Sequence, residues 1–390
     1  MNSIFKIILS FIALFIFCEY IIYVLVLLNC KWPTLSKHHL DPYVPLNTEK
    51  PLRVMLIADT HLLGIQKGHW FDKLRREWQM KRSFQTALFI HNPDVVFILG
   101  DIFDEGKWAS NEEFKQYVEN YQSIFAHDSS TIVKVLAGNH DIGFHYDIDK
   151  NKYLRFRKVF GVSTVDLWTI NSIHFVLINS MAFEGDGCFL CSEAEKKINK
   201  ISSSLNCISG SNLNRQANCE SILENIDLKH GEYSKPIVLQ HFPLFRKNDN
   251  DCLEDVDSAP KISDYQEFRP KWDCLSKDAS NKILDKLEPR LIFSGHTHYS
   301  CRVDHKPDKN TVIPEYNVAS FSWRNLNSPS FLLMKISIND FEISKCYLPQ
   351  ESTVIKLYAI GVPLIIIWFL RKWLWSIVIR VILRNNQKIL

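Results

Sequence analysis

The sequence contains no internal repeat and no low-complexity tract, which excludes repeat architectures and large-scale disorder. It also lacks a strong charge imbalance. The formal net charge is +3, and the five basic residues after Leu370 have no acidic counterpart, so the rest of the chain is slightly acidic. A basic nucleic-acid-binding surface is therefore not indicated. No Asn-x-Ser/Thr sequon has a permitted middle residue, so glycosylation does not help to place the compartment. With 46% hydrophobic residues, the 390-residue chain can bury a large core in one large domain or two small ones.

The first long apolar run covers residues 7–28 and is long enough to cross a bilayer. A cleaved signal peptide is the alternative, but the run is long and no clear small-x-small cleavage site follows it. We therefore interpret residues 1–30 as an uncleaved signal anchor. Glu19 is costly in hydrocarbon, so it either lies near the interface or faces a partner such as a second span.

A second apolar run covers residues 354–370 and ends at Arg371-Lys372. Two adjacent cations are expensive at mid-bilayer, so we expect this span to end there, and we expect residues 373–384 to form an amphipathic segment on the membrane surface. A bent hydrophobic helix in the protein core is the alternative. The positive-inside rule places the basic tail, residues 371–390, in the cytosol. Two spans then leave residues 45–350 as a domain that faces the lumen or the outside.

Eight cysteines lie in that domain, an even number that is consistent with disulfides in an oxidising compartment. The spacing of Cys188 and Cys191 also fits zinc or a redox pair, but no second CxxC accompanies it, so structural bridges are favoured. An insertion over residues 184–234 contains four of the eight and is expected to be a disulfide-rich surface excursion. The eight are Cys188, Cys191, Cys207, Cys219, Cys252, Cys274, Cys301 and Cys346.

Short β-branched runs alternate with amphipathic segments in the first half of the domain, which predicts strand-helix-strand units of an α/β fold. Strands are expected at 53–58, 95–99 and 132–136, with crossover helices at 73–91 and 112–127. Later strands are expected at 172–177, 236–239 and 290–293, and a further β layer at 311–314, 316–320 and 331–338. Such a layered domain gathers its ligands at the strand ends.

Polar motifs follow these strands. Each motif alone is weak, because Asp-x-His is common, Gly-Asp often forms a turn and a single histidine is often buried in a core. All five in this order, each after an apolar strand, indicate a two-metal hydrolytic centre and hence a phosphoesterase. The motifs are Asp59-x-His61, Gly100-Asp101, Gly138-Asn139-His140-Asp141, Gln240-His241 and Gly295-His296-x-His298.

The residue types suit this chemistry. A carboxylate can bridge two metal ions, and an asparagine carbonyl adds a neutral hard oxygen. If Asp59-x-His61 and His296-x-His298 are extended, the alternate side chains of each motif point the same way. Glycines precede several of the ligands and allow sharp turns beside the site.

The motif set resembles the calcineurin-like metallophosphoesterase superfamily over roughly residues 51–347. The resemblance implies a four-layer sandwich of two mixed β-sheets flanked by helices, here with two transmembrane helices added. It implies that one metal is held by Asp59, His61 and His298, the other by Asn139, His241 and His296, and that Asp101 bridges them. It further implies that His140 stabilises or protonates the leaving group, while Asp104 and Asp141 orient histidines or loops. Gln240 departs mildly from the glycine that often precedes the lone histidine in this superfamily.

Segments 58–64, 138–143 and 320–325, with the two flanking spans, resemble one membrane-tethered branch of this superfamily more closely. The resemblance implies a manganese-dependent phosphodiesterase that removes ethanolamine phosphate from the second mannose of GPI anchors. Zinc or iron would also suit the ligands. It implies GPI-anchored proteins as substrates, cargo-receptor or coat contacts, and a location at endoplasmic reticulum exit sites, the intermediate compartment and the cis-Golgi. Lys388 is third from the C-terminus, but the second lysine of a dilysine retrieval signal is missing.

Five residues are candidates for substrate contact. Arg324 is suited to phosphate, Trp323 to stacking on a sugar, and His145 to lining the same pocket, as are His69 and Trp70. The alternative is that Trp323 packs in the core and Arg324 pairs with a nearby acid. For the whole chain, the alternatives are a phosphodiesterase for nucleotides or phospholipids, and a cargo-binding protein on a catalytically decayed scaffold.

Overall fold

The strands form two sheets in a computed structural model that describes residues 3–35, 50–210, 219, 233–252, 255–260 and 267–386. The first sheet has the order β11-β10-β1-β2-β3 and the second β4-β5-β6-β7-β9-β8. Both sheets are mixed, since parallel strands lie beside antiparallel ones. The strands are β1 Leu52–Ile57, β2 Val95–Ile98, β3 Ile132–Val135, β4 Val165–Ile170, β5 Ile173–Ile178, β6 Ile237–Gln240, β7 Leu291–Ser294, β8 Cys301–His305, β9 Ile313–Asn317, β10 Ser330–Ile336 and β11 Phe341–Tyr347.

Helices connect and cover these sheets. Local signals fix several of their ends: Ser110 and Glu113 form a capping box at the start of α4, and α3 ends at Asn92, a left-handed residue before Pro93. The helices are α1 Ser3–Ile16, α2 Ile22–Leu28, α3 Trp70–His91, α4 Asn111–Ile124, α5 Asn139–Ile142, α6 Lys150–Phe160, α7 Cys191–Ile208, α8 Lys277–Leu287 and α9 Glu351–Asn386.

One apolar cluster joins side chains from both sheets. Phe97 of the first sheet contacts Phe175 of the second at a ring-centroid distance of 4.9 Å, and Leu239 and Phe293 belong to the same buried cluster. A second cluster includes side chains from α3, α4, α7 and α8. The expected sandwich of two mixed sheets flanked by helices is confirmed.

The structure corrects two expectations about the second half of the domain. The strands expected at 311–314 and 316–320 are one strand, β9, which is continuous through Pro314 because it pairs with β7 and β8. The insertion at 184–234 is not only a surface excursion. Its helix α7 buries Ala194, Ile198 and Leu205 and belongs to the core, whereas residues 211–218 and 220–232 lie outside the described residues.

Four disulfides are formed, and they correct the expected set of eight cysteines. Cys274 is a buried thiol without a partner cysteine among the described residues, and Cys30, from the end of the N-terminal anchor, takes its place by bonding to Cys346. The other bridges are Cys188–Cys191, Cys207–Cys219 and Cys252–Cys301. The domain boundary expected at residue 45 lies outside the described residues.

Two helices in the described part of the chain are long and apolar enough to cross a membrane, Ile4–Leu28 and Glu351–Arg371. In the first, a π-helical turn at Phe17–Ile21 joins α1 to α2. The second candidate span ends at Arg371, where the sequence predicts its end, but the helix that contains it, α9, continues to Asn386. Arg371 and Lys372 interrupt the apolar pattern, but neither residue breaks a helix.

The two apolar helices pack against each other. Tyr358 of α9 donates a hydrogen bond to Oε1 of Glu19 at 2.7 Å. Three residues along α9, a Cβ atom on Gly361 would lie 2.8 Å from Leu14, so the glycine permits close contact. Of the two positions considered for Glu19, the structure supports the one in which it faces the second span.

Candidate metal centre

The five motifs converge at one edge of the two packed sheets. Parallel strands present their carboxyl ends at the same edge, which explains why residues far apart in the sequence meet there. Asp59 follows β1, Asp101 follows β2, Asn139 follows β3, His241 follows β6, and His296 and His298 follow β7.

The first group of donor atoms belongs to Asp59, His61, Asp101 and His298, all within 4.8 Å of one another. The Nε2 atoms of His61 and His298 face each other at 3.0 Å, and Oδ1 of Asp59 lies 3.9 Å from His61 and 3.8 Å from His298. Two imidazole nitrogens at this distance repel unless a cation or proton lies between them. This group therefore fits a divalent metal ion.

The second group contains Asp101, His241 and His296, again within 4.8 Å. Nε2 of His241 lies 3.3 Å from Oδ2 of Asp101 and 3.1 Å from Oδ1 of Asn139. Two donor atoms, Oδ2 of Asp101 and Nδ1 of His296, are buried without a hydrogen-bond partner among the described residues. Buried polar atoms are normally paired, so both fit metal ligation, and Asp101 is the residue that the two groups share.

The backbone at these ligands is strained rather than extended. The extended backbone that would make alternate side chains of Asp59-x-His61 and His296-x-His298 point the same way is not present, because left-handed turns redirect each side chain toward the centre. Positive φ angles occur at Asp59 (51°), His61 (44°), Asp101 (48°), His296 (73°) and His298 (67°).

Two of the preceding glycines leave room for these turns. Gly100 has a φ of 96°, which favours glycine, and a Cβ atom there would lie 2.7 Å from Nδ1 of His241. Gly138 has an ordinary φ, but a Cβ atom would lie 2.1 Å from Oδ1 of Asp101. Its hydrogen side chain is therefore needed for the close approach of the shared carboxylate.

His140 and Asp104 lie beside the first group. The backbone N–H of His140 donates to Oδ1 of Asp101 at 2.7 Å, and its Nδ1 lies 2.9 Å from the carbonyl oxygen of Asp104. The Asp104 carboxylate lies 3.2 Å from Nδ1 of His61 and so orients the ring whose Nε2 faces His298.

Asp141 fixes loops rather than histidines. Its two carboxylate oxygens accept hydrogen bonds from the N–H groups of Phe103 at 3.0 Å and Gly138 at 2.8 Å. These bonds join the loop after β2 to the loop after β3, which carry Asp101 and Asn139. Burial and the neighbouring Asp101 charge raise the pKa of Asp141 to about 7.

Burial and crowded charges shift pKa values in both directions. Burial lowers the pKa of His296 to about 3, with the His241 charge acting in the same sense, and takes the pKa of His298 well below its ordinary value. A neutral imidazole is the form that binds a metal, so burial holds both of these rings in the form that suits ligation. Burial opposes ionisation of Asp101, but the charges of His241 and His140 outweigh it and hold the Asp101 pKa well below its usual range.

The structure separates the candidate substrate contacts. Stacking of Trp323 on a sugar is wrong, because its ring is buried in an apolar cluster with Tyr23 and Val354 and its indole N–H donates to the carbonyl of Pro349 at 2.9 Å. Arg324 is partly exposed and pairs with Asp104, with Nη2 3.2 Å from Oδ2.

The remaining candidates, His145, His69 and Trp70, make other contacts in the structure. His145 lines a cavity of about 590 Å³, and its ring nitrogens contact Asp186 at 2.6 Å and the carbonyl of Met181 at 2.8 Å. His69 caps α3 by accepting a hydrogen bond from the N–H of Phe71 at 3.3 Å, while Trp70 is 70% exposed.

Sequence reasoning missed several residues around the centre. Trp108 is partly exposed, with Lys67 Nζ 3.9 Å and Lys107 Nζ 4.8 Å from its ring centroid. The backbone N–H of Lys107 donates to the carbonyl of His140 at 2.8 Å, which joins this group to the metal motifs. The Gly100-Asp101 motif, only seven residues earlier, was the signal that could have drawn attention to Trp108.

Trp272 was also missed. Its carbonyl oxygen lies 2.6 Å from Nε2 of His296, and its ring stacks on Tyr146 at 4.8 Å. It also lines the cavity that contains His145, while a second cavity of about 580 Å³ borders His296. No motif surrounds Trp272 in the sequence, so only the folded chain identifies it.

Known proteins are similar to this chain in sequence. Metallophosphoesterase 1 of Danio rerio is 45% identical over 352 residues, covering 90% of this chain and 87% of the relative. Metallophosphoesterase 1 of Mus musculus is 45% identical over 366 residues, covering 94% of this chain and 88% of the relative.

Among solved structures, a dimetal phosphatase from Danio rerio has a TM-score of 0.42 at 12% identity, covering 77% of this chain and all of that one. Purple acid phosphatase PPD1 from yellow lupin has a TM-score of 0.45 at 11% identity, covering 78% and 55%. The family model described as calcineurin-like phosphoesterase matches residues 52–300, more than half of the chain. The chain therefore belongs to the calcineurin-like phosphoesterase family and is a metal-dependent phosphoesterase.

Proposed function

We propose that this enzyme is a lumenal phosphodiesterase of the early secretory pathway that removes ethanolamine phosphate from the second mannose of GPI anchors. Its substrates are then GPI-anchored proteins, and its two ions are most simply manganese, although zinc and iron suit the same donors. The sequence resemblance described above supports this assignment, as does 45% identity to relatives named for metallophosphoesterase activity.

One observation carries the proposal: the metal centre is joined to the point where both candidate spans meet the domain. Arg324 contacts Asp104 beside the centre, and the adjacent Trp323 packs in a cluster with Cys18, Ile22 and Val354 of the spans. A lipid-anchored substrate diffuses in the same leaflet that holds these spans. Confinement to one membrane raises the effective concentration of enzyme and substrate for each other.

The residues of the chain divide the work. Asp59, His61 and His298 would hold one ion, Asn139, His241 and His296 the other, and Asp101 both. When bound, the two ions supply Lewis acidity at the phosphate oxygens and activate the attacking water.

His140 would act on the leaving oxygen. Its Nδ1 is occupied by the Asp104 carbonyl at 2.9 Å, so Nε2 is the atom that would hold or donate a proton there. Arg324, whose guanidinium is partly exposed beside the centre, would bind the substrate phosphate. Trp108, with two lysines against its ring, would contact the sugar.

Loss of the gene, followed by mass analysis of released GPI glycans, tests the proposal. We expect the side-branch phosphate on the second mannose to be retained, and wild-type protein to restore its removal. Asp101→Asn should fail to restore it, whereas Asp128→Asn, at an exposed position, should succeed.

An unchanged glycan would reject the GPI assignment. If the purified enzyme then cleaved a nucleotide or phospholipid diester, a different substrate class would replace it. A purified chain that holds metal yet cleaves no simple aryl phosphodiester would indicate a decayed, cargo-binding scaffold.

A further inference from the structure

Four large apolar side chains are exposed to solvent at the start of α3 and in the loop before it. The exposed fractions are 60% for Ile65, 70% for Trp70, 55% for Phe71 and 56% for Leu74. We name these four residues the apolar tip. Single exposed apolar residues are ordinary on a protein surface, but four within ten residues form a patch that indicates a binding partner.

The helix that carries the apolar tip packs on both candidate spans. The rings of Trp78 and Tyr20 meet at 5.5 Å, and Arg82 lies 4.9 Å from the centroid of the same tyrosine ring. Arg75 forms an ion pair with Glu351, the first residue of α9. The apolar tip is therefore continuous with an interface between the domain and its membrane helices.

A second contact gives the direction of α3. Trp32, twelve residues after Tyr20, contacts His91, thirteen residues after Trp78, and its indole N–H donates to the His91 carbonyl at 3.0 Å. The two segments therefore run in the same direction. Because the N-terminal segment enters from the membrane, the start of α3 is the end nearer the bilayer.

The composition of this end fits a lipid surface. Phe71, Leu74 and Trp78 share one helix face, at spacings of three and four residues. Cations lie between Ile65 and Trp78 in the sequence, among them Lys67, Lys73 and Arg76. Aromatic and leucine side chains beside Lys and Arg are typical of helices that lie at a membrane interface, where tryptophan sits at headgroup level.

The same helix is also hydrogen-bonded to the segment that borders the metal centre. The side chain of Gln79 donates to the carbonyl of Phe321 at 3.2 Å and accepts from the N–H of Trp323 at 3.2 Å. The next residue, Arg324, pairs with Asp104. These contacts link the position of α3 to that of the segment that borders the centre.

We propose that the apolar tip inserts into the lumenal leaflet beside the first span and sets the height of the metal centre above the membrane. The occupant is the lipid surface itself. The docking requires that the two candidate spans cross the membrane. Its effect on catalysis rests on the proposed function, in which the substrate is lipid-anchored.

The experiment uses the full-length enzyme in phosphatidylcholine vesicles. An environment-sensitive fluorophore is attached at Phe71→Cys or, as the matched control, at Phe89→Cys. Phe89 lies on the same helix, eighteen residues or about 27 Å further along, and is 89% exposed. A third label at Ile12→Cys, inside the first candidate span, verifies insertion.

Nitroxide lipids should quench the labels at positions 71 and 12 but not the label at 89. An unquenched label at 71, with the label at 12 quenched, would overturn the proposal. A label at position 71 whose emission shows shielding from water, but which nitroxide lipids do not quench, would mean that a protein surface covers the apolar tip. That result would also overturn the proposal.

A second measurement links docking to activity. Phe71→Gln combined with Leu74→Gln should reduce cleavage of a vesicle-anchored phosphodiester by about tenfold. Hydrolysis of a soluble aryl phosphodiester should not change, and Phe89→Gln should alter neither reaction. An equal loss on both substrates would contradict a docking role.

The two proposals fail separately. Quenching at position 71 together with unchanged GPI glycans in cells lacking the gene would refute the GPI substrate and leave the docking intact. An unquenched label at position 71, together with retention of the side-branch phosphate in cells lacking the gene, would refute the docking and leave the GPI substrate intact.

Discussion

Arg324 Nη2 lies 3.2 Å from Oδ2 of Asp104, and Oδ1 of the same carboxylate lies 3.2 Å from Nδ1 of His61. One buried carboxylate therefore joins a partly exposed cation to a metal-binding ring. The pKa of Asp104 is held far below its usual value, because the His61 hydrogen bond and the Arg324 charge outweigh its burial. Asp104 thus remains an acceptor for both partners.

Replacing Asp104 tests this support. Asp104→Asn should reduce metal affinity or activity by about 10- to 100-fold, the range for residues that orient a ligand without touching the metal. Metal titration by calorimetry and hydrolysis of bis(4-nitrophenyl) phosphate measure the two effects. Asp128→Asn, on an exposed turn, is the control, and an unaffected Asp104→Asn enzyme would show that His61 needs no such partner.

The shared carboxylate should matter more. Asp101→Asn should reduce activity by more than about 100-fold, beyond the range for orienting residues, because an amide bridges two cations poorly. Metal analysis should show fewer than two ions per chain. Gly138→Ala should act in the same direction, since its Cβ atom would occupy the place of Oδ1 of Asp101. Two ions retained by both variants would exclude Asp101 as the bridge.

The pairing of the apolar helices gives a stability prediction. Tyr358→Phe removes the donor to Glu19, and the free energy of unfolding in detergent should fall by about 1–2 kcal/mol. Tyr20→Phe is the matched control, because the contacts of Tyr20 with Phe15, Trp78 and Arg82 use its ring. Equal thermal midpoints for the two variants would mean that the hydrogen bond adds nothing.

His174 gives a pH dependence away from the metal centre. Burial lowers its pKa from 6.5 to about 4. Between these two values the His174 side chain is protonated in the unfolded chain but not in the folded chain. The contribution of neutral His174 to the free energy of unfolding is therefore complete above pH 6.5 and is lost as the pH falls toward about 4. The loss approaches about 2 kcal/mol at about pH 5.

His174→Gln should flatten this slope. Gln retains an acceptor for Thr169, whose hydroxyl lies 3.0 Å from Nδ1 of His174. Unfolding of both proteins is measured at about pH 7 and about pH 5. The wild type should lose more stability than the variant over this interval, and identical losses would contradict the assignment to His174.

Much of the site was readable from the sequence, because each ligand follows a short apolar strand. The motifs at Asp59, Asp101, Asn139, His241 and His296 are each weak alone, but their order and their positions after apolar strands indicated one centre, and the structure brings all of them together. Trp323 shows where such reasoning fails. Its neighbours in the sequence suggested a substrate contact. In the structure, however, the Trp323 indole is buried by Tyr23 and Val354, which belong to helices that are remote in the chain.

Among helix ends and cysteine pairs, too, some were predictable from the sequence and others only from the folded structure. Ser110 and Glu113 cap α4 locally, so the start of that helix was predicted to within one residue. The end of the second candidate span at Arg371 was predicted from its two cations, but the continuity of α9 beyond them was not, because Arg371 and Lys372 change the polarity of a helix without ending it. Cys30 was assigned to the anchor, yet Cys346, 316 residues later, lies beside it in space.

The sequence by itself determined the apolar spans, the order of strands and helices and the five polar motifs that follow the strands, since these depend on composition and short-range pattern. The metal-binding roles of particular side chains in those motifs were implied by the family resemblance. The tertiary structure decided which donors face each other, as His61 and His298 do across 237 residues, and which aromatic rings are buried or exposed. Those relations depend on the packing of two sheets and on left-handed turns at the strand ends, which no local pattern contains.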